Sequence, residues 1–185
     1  FVGVYPGISI LLQSLRDWNL VTSGDTVRFV GLANYWKAIQ NREFVLSVAR
    51  TFAFVGLVLP FEFLVGLFLA VLLNYRELKF RGLFRSLLLL PMMLSPVVTA
   101  VVWNMIYSTQ FGPLNYLLQL LGLTDGRTEW LGHVGRAFPA LAFATVWMWF
   151  PFSVLVLSAG LQGIPEEEYE AARIDGATGV QVFRY

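Results

Sequence analysis

Residues 138–179 read FPALAFATVWMWFPFSVLVLSAGLQGIPEEEYEAARIDGATG. No charged side chain interrupts the run from Phe138 to Leu161, and a tilted helix needs about 20 apolar residues to cross the hydrocarbon core of a bilayer. Residues 137–161 therefore predict a transmembrane span. A segment of opposite character follows almost at once. Pro165 suits the first helical position, where its missing amide is not needed. Glu166, Glu167 and Glu168 come next, where carboxylates favour the positive end of the helix dipole by roughly 0.3–1 kcal/mol each. Gly176 suits the left-handed residue that closes a helix, with Arg173 in the last turn. Residues 165–176 thus predict a short, acidic helix at the edge of the membrane.

At 3.6 residues per turn, Tyr169, Ala172, Arg173 and Gly176 share one side of that helix. Ala171 and Ala172 leave little bulk, so another backbone can come close. A helix this short is marginal alone and needs a surface to rest on. The surface is either a groove on another protein or the lipid itself, and anionic headgroups repel an acidic first turn.

Composition points the same way. Hydrophobic residues make up 57% of the 185 and charged residues only 14%, against about 45–50% and about 25% in soluble domains. Mean hydropathy is +0.64. So much apolar surface calls for lipid as the solvent. A net charge of +1 provides no basic field for nucleic acid. With no cysteine there are no disulfides, thiolate metal sites or cysteine nucleophiles. The single histidine, His133, lies between Gly132 and Val134 and reads as a solvated loop residue, with no metal site implied. The chain begins at Phe1 without a basic segment and cleavage pattern, and reads as a piece truncated at both ends.

Further apolar blocks occupy residues 1–15, 45–73 and 86–107. The first is short and reads as the outer part of a helix; the other two are long enough to span. Asn34 to Phe44, NYWKAIQNREF, suggests an amphipathic helix at the interface. Basic residues set the orientation. Arg76, Lys79, Arg81 and Arg85 crowd one short connection, whereas Arg16, Arg28, Lys37, Arg42 and Arg50 are spread along a longer one, and Arg127 and Arg136 alone serve the third. Density places Arg76–Arg85, and with it the acidic helix, on the cytoplasmic side. Pro60, Pro91, Pro96 and Pro151 fall inside the spans and are expected to kink them, as ordinary bundle packing or as hinges around a translocation path. Small residues at Gly56, Ala70, Ala100, Ala144 and Gly160 are expected to allow close helix approach.

The segment EAARIDG, Glu170 to Gly176, resembles Glu-Ala-Ala-x-x-x-Gly, the coupling motif in inner-membrane permease subunits of binding-protein-dependent ABC importers. The family pattern continues with nine residues and then Ile-x-Leu-Pro; Ala177 to Tyr185 supply the nine. FVGLANY (Phe29 to Tyr35), LNYRELKFRGLFRSLLLLP (Leu73 to Pro91), FGPLN (Phe111 to Asn115) and AGLQGIPEEEYEAARIDGA (Ala159 to Ala177) are similar to the carbohydrate, or maltose-type, branch. The resemblance implies an all-α polytopic transmembrane helix bundle of the type I ABC permease kind, in a bacterial or archaeal cytoplasmic membrane. It implies a non-enzymatic transport subunit forming a path for a sugar that an extracytoplasmic binding protein delivers. A second, homologous permease subunit and cytoplasmic ATP-binding subunits are the other implied partners. Residues 165–176 become the coupling helix. Glu170 pairs with a basic residue of the ATPase, Ala171 and Ala172 give close fit, and Arg173, Asp175 and Gly176 complete its end. ATP and its magnesium belong to that ATPase. Neither Lys37 nor Lys79 follows a Gly-rich phosphate loop.

Aromatic faces with a few hydrogen-bonding groups are the usual means of holding neutral sugars. Trp103, Asn104 and Tyr107 in the third block, and Thr145, Met148, Trp149 and Ser153 in the fourth, are of that type. Aligned on WMWFP, Trp147 to Pro151, Thr145, Met148 and Trp149 fall where maltose-type permeases face their cavity. Trp103 and Tyr107 read equally as interfacial anchors. Glu62, a carboxylate within a span, reads either as part of the path, with Pro60, or as an interhelical hydrogen-bonding group. Another solute, such as a polyol or glycerol phosphate, is the nearest alternative cargo. An ion-coupled carrier needs a paired ionisable network that Glu62 alone does not make.

Overall fold

The computed structural model describes residues 3–17, 28–74 and 79–184, apart from the side chains of Arg173, Val180, Phe183 and Arg184. Arg76, one of the residues that set the expected orientation, lies outside them. Two compact units are present, Phe1–Ala53 and Phe54–Tyr185.

The first unit opens with α1 (Val4–Ser14), followed by a two-residue antiparallel ribbon, β1 (Arg16–Asp17) with β2 (Arg28–Phe29), in which Arg16 faces Phe29. That ribbon is the departure from an all-helical chain. The FVGLANY segment explains how it is held. Gly31 takes a positive φ of 57°, turning the chain into α2 (Ala33–Gln40). Asn34 then donates its amide to the carbonyls of Ser14 (2.9 Å) and Arg16 (3.0 Å), and the Tyr35 and Ser14 hydroxyls meet at 2.6 Å. The interfacial helix expected across Asn34 to Phe44 is thus interrupted. Asn41 leaves the helix in an extended conformation, and its side chain accepts from the amides of Glu43 and Phe44 (2.9 and 3.3 Å). It caps the next helix, as an asparagine does when it takes up first-turn amides that have no intrahelical partner.

That helix, α3 (Arg42–Asn74), has 33 residues, about 50 Å at ~1.5 Å per residue, enough to cross a bilayer and project beyond it. Pro60 sits inside it without ending it. Phe61, Phe63, Leu64 and Phe68 are exposed, which suits a helix surrounded by lipid or by further helices. The other long span is α7 (Val134–Gln162), which accommodates Pro139 and Pro151. His133 is exposed immediately before it, as a loop residue should be.

The block at residues 86–107 is not one straight helix. It is α4 (Arg81–Met93) and α5 (Pro96–Ile106), bent by 97° at Leu94 and Ser95. The cause is local. Leu94 and Ser95 are extended, the Ser95 hydroxyl accepts from the Val98 amide at 3.3 Å, and Pro96 occupies the first turn of the new helix. Pro96 therefore starts a helix where a kink within one was expected, consistent with the bias against helical backbone just before proline.

The core of the second unit gathers Leu73, Phe150 and Val154, with Leu69, Leu88 and Trp147 around them. Ala70 is fully buried, but a close approach of α3 to α7 uses a glycine that composition did not single out. A Cβ on Gly66 would lie 2.5 Å from Ser153 Cβ and 3.2 Å from its carbonyl carbon. Gly56 and Gly160, expected to serve this role, meet nothing within 4 Å.

After α5, the FGPLN segment starts α6 (Pro113–Leu120). Its Asn115, 2% exposed, donates to the carbonyls of Ser108 and Thr128 (both 3.1 Å) and accepts from the Trp130 indole (3.0 Å). One buried amide thereby ties the whole connection between α5 and α7. The chain closes with α8 (Glu166–Ile174) and α9 (Gly179–Arg184).

Candidate functional site

The bend at Ser95 directs α5 against α7, and aromatic rings fill much of the contact. Trp103 stands edge-on to Phe143 (5.4 Å) and Trp147 (5.6 Å) and lies tilted over Tyr107 (5.2 Å). Tyr107 is buried; its hydroxyl donates to the Ala140 carbonyl at 2.8 Å, and its ring lies 6.1 Å from Trp130. Neither residue is an outward-facing anchor; both belong to the seam between α5 and α7.

Beside that seam is a cavity of about 320 Å³, with Asn104, Thr145, Met148 and Trp149 on its walls. Trp103 and Tyr107 line it too, so six sequence candidates from two helices are brought together. Glu62 is not among them. It lies apart from this cavity and accepts a 3.0 Å hydrogen bond from Ser153 Oγ, so of its two readings the geometry matches the interhelical one. Ser153, another sequence candidate, is taken up by the same bond.

Thr99 is a wall residue that sequence reasoning missed. It is 5% exposed, and its hydroxyl and the Trp103 indole nitrogen are both buried without a hydrogen-bond partner. A buried donor left unpaired costs about 1–3 kcal/mol, so these two are poised to gain from a polar guest. The spacing Thr99, Trp103, Tyr107 places all three on one face of a helix, the signal by which Thr99 was recognisable. Thr145 donates to the Leu141 carbonyl of its own helix at 2.8 Å, which leaves its oxygen free to accept. Among the described residues, no charged side chain lines this cavity.

The acidic helix is the second candidate region. The Glu168 amide bonds to the Pro165 carbonyl at 3.2 Å at the start of α8. At its end Gly176 has φ +77°, and the Ala177 amide reaches back to the Ala172 carbonyl at 2.9 Å. That six-to-one bond around a left-handed glycine is a Schellman closure. Glu170 and Ala171 are exposed, as are Asp175 and Gly176. Tyr169 and Ala172 are half-buried, and Tyr169 lines a cleft with Val71 and Asn74 of α3, Leu161 of α7 and Val182 of α9. Arg173 belongs to α8, its side chain being among those not described. The helix is therefore seated by one face and open on the other.

The seat includes α9, which sequence reasoning did not foresee. Thr178 and Gln181 make it: the Gln181 side-chain Oε1 accepts from the Thr178 amide (2.7 Å) and hydroxyl (2.8 Å). Thr-x-x-Gln is a capping-box signature and was readable as such.

A family profile described as binding-protein-dependent transport system inner membrane component matches residues 62–185. A probable ABC transporter permease protein of Sinorhizobium fredii is 38% identical, over 97% of this chain and 57% of the relative. A trehalose/maltose transport system permease protein of Thermococcus litoralis is 40% identical, over 84% of this chain and 52% of the relative. An sn-glycerol-3-phosphate transport system permease protein of Pectobacterium atrosepticum is 32% identical, over 97% and 59%. The chain thus spans a little over half the length of these relatives. In structure, it resembles a chain of a bacterial ABC transporter involved in the import of the acidic polysaccharide alginate, with a TM-score of 0.80 at 24% identity, covering 99% of this chain and 60% of that one; this likeness establishes the fold. With spans, bent pair and terminal helix all inside a match of this extent, the chain belongs to the family of binding-protein-dependent transport system inner membrane components.

Proposed function

We propose that this chain forms part of the translocation path of an ATP-driven importer for a sugar, and that α8 couples it to a separate cytoplasmic ATPase. The observation that carries the reading is the two-sided seating of α8. Tyr169 anchors it in a cleft with residues of α3, α7 and α9, while Glu170 and Ala171 stay open. A helix held in this way transmits a push from a docked partner to the spans, and two small alanines let that partner come close. Glu170 is the group that pairs with a basic residue of the ATPase; Ala171, Ala172, Arg173, Asp175 and Gly176 shape the docked end. ATP and magnesium sit on the ATPase, this chain supplying no phosphate loop. A homologous second permease subunit and an extracytoplasmic binding protein complete the assembly.

For cargo, the cavity beside α5 and α7 combines aromatic walls with Asn104, Thr145 and Thr99 and, among the described residues, no charged side chain, which suits a neutral sugar better than glycerol phosphate. The relative named for trehalose and maltose transport supports the same class. The test is uptake of labelled maltose or trehalose into proteoliposomes holding the full-length permease with its partner permease, ATPase and binding protein. Uptake that requires ATP and survives a protonophore is expected. Uptake that continues with an inactivated ATPase but collapses with the proton gradient overturns the reading in favour of an ion-coupled carrier.

A further inference from the structure

A second cavity, of about 240 Å³, lies where α3 ends, α4 begins and α7 ends. Its walls are largely apolar, with Leu73, Leu88, Leu89 and Val154 among them, and among the described residues Arg85 is the one charged residue lining it. Ser158 lines it as well. This serine is 6% exposed, yet its hydroxyl has no hydrogen-bond partner. Nη2 of Arg85 is likewise buried and unpartnered, as is Nε of Arg81, one turn earlier on α4. Arg81 meets Asn74 Oδ1 through Nη2, at 3.4 Å. The start of α4 adds to this positive potential. Phe80 precedes it in a left-handed conformation and provides no side-chain cap, and the positive end of the helix dipole lies there.

Among the described residues, a buried guanidinium nitrogen and a buried hydroxyl are both without acceptors, and no carboxylate stands on the cavity wall; an anion with several oxygens would satisfy both. Arginine's planar fork matches phosphate particularly well. The residues lie beside the densely basic connection, the end assigned to the cytoplasm, where basic pockets between membrane helices take up anionic headgroups. The leucine and valine walls suit the glycerol end of a lipid. We propose that this cavity is a phosphate-binding site, with Arg85 and Ser158 as its donors, for the phosphodiester of a phospholipid headgroup or for free phosphate.

The experiment uses the full-length chain in its assembled transporter, purified in detergent and delipidated, and follows binding by native mass spectrometry. One arm titrates phosphatidylglycerol, a second inorganic phosphate, and a third diacylglycerol as the phosphate-free control. Wild type is expected to hold one phosphatidylglycerol per permease chain and no diacylglycerol, with affinity lowered about tenfold in Ser158→Ala and lost in Arg85→Gln. Binding of inorganic phosphate without the lipid, with the same dependence on the two residues, supports the site and assigns it to free phosphate. If Arg85→Gln fails to assemble, Arg85→Lys, which keeps the charge and loses the fork, is expected to weaken binding at least tenfold. Equal binding by wild type and variants, equal uptake of diacylglycerol, or no binding by wild type in either phosphate arm overturns the proposal.

Discussion

Ser153 on α7 donates a 3.0 Å hydrogen bond to the carboxylate of Glu62 on α3, one turn of α3 before the point where Gly66 lets the Ser153 backbone approach. A polar bond and a bare backbone therefore act at one place. Interhelical hydrogen bonds in membranes contribute about 0.6 kcal/mol on average and up to about 1.7. Ser153→Ala should destabilise the full-length permease by about 1 kcal/mol, and Glu62→Gln, which retains an acceptor, by less. Gly66→Val should cost more than either, roughly 1–3 kcal/mol or beyond, because the helices must separate. Unfolding of the purified permease in mixed detergent micelles gives the ranking; a harmless Gly66→Val would refute the close approach.

Asn115 makes three hydrogen bonds from a buried position. Asn115→Leu, of similar size, leaves two carbonyls and the Trp130 indole without their partner, and unpaired buried groups cost about 1–3 kcal/mol each before water re-enters. The connection between α5 and α7 should loosen first. Hydrogen exchange over residues 107–131 is expected to accelerate at least tenfold while α3 remains protected.

Glu170 and Ala171 face outward from α8. Glu170→Lys reverses the charge offered to the ATPase, and Ala171→Trp adds bulk where close fit is proposed. Both should reduce co-purification of the ATPase and abolish transport-coupled ATP hydrolysis without changing the permease's own unfolding midpoint. Gly176→Ala acts differently. It forces a side chain into φ +77°, a left-handed conformation that costs roughly 1–2 kcal/mol, and should weaken coupling by fraying the end of α8. A fully coupled complex in all three variants would remove α8 from the mechanism.

The cavity beside α5 and α7 should respond as a binding site. Asn104→Ala and Thr145→Val each remove a polar group, and a hydrogen bond of about 1–1.5 kcal/mol corresponds to roughly five- to tenfold in KM. Initial uptake rates should show that change with basal ATP hydrolysis unaltered. Trp149→Ala should do more if it provides a stacking face, and an unchanged KM in all three would place the cargo elsewhere.

Much of the fold was legible because the information is local. Apolar length marked α3 and α7, and the Pro165, acidic-turn and Gly176 punctuation marked α8. Such features depend on neighbours in the chain, on propensity, capping and transfer to lipid, and survive reading without a structure. Asn41 and Thr178 carried the same kind of signal, visible once each was considered as a cap. The 97° turn at Leu94 and Ser95 was harder to read: its signal, a Ser95 cap followed by Pro96, is also local, but two prolines in one apolar block allow a kink or a break alike. Nor did residue type distinguish Gly66, which is crowded by Ser153, from Gly56 and Gly160, which are not. Glu62 allowed two readings, path residue or interhelical hydrogen-bonding group, and its partner Ser153, 91 positions away in the chain, cannot be read from its own neighbours. Which helix faces meet is a long-range property, fixed by the shapes of both surfaces together, and no stretch of one helix contains it.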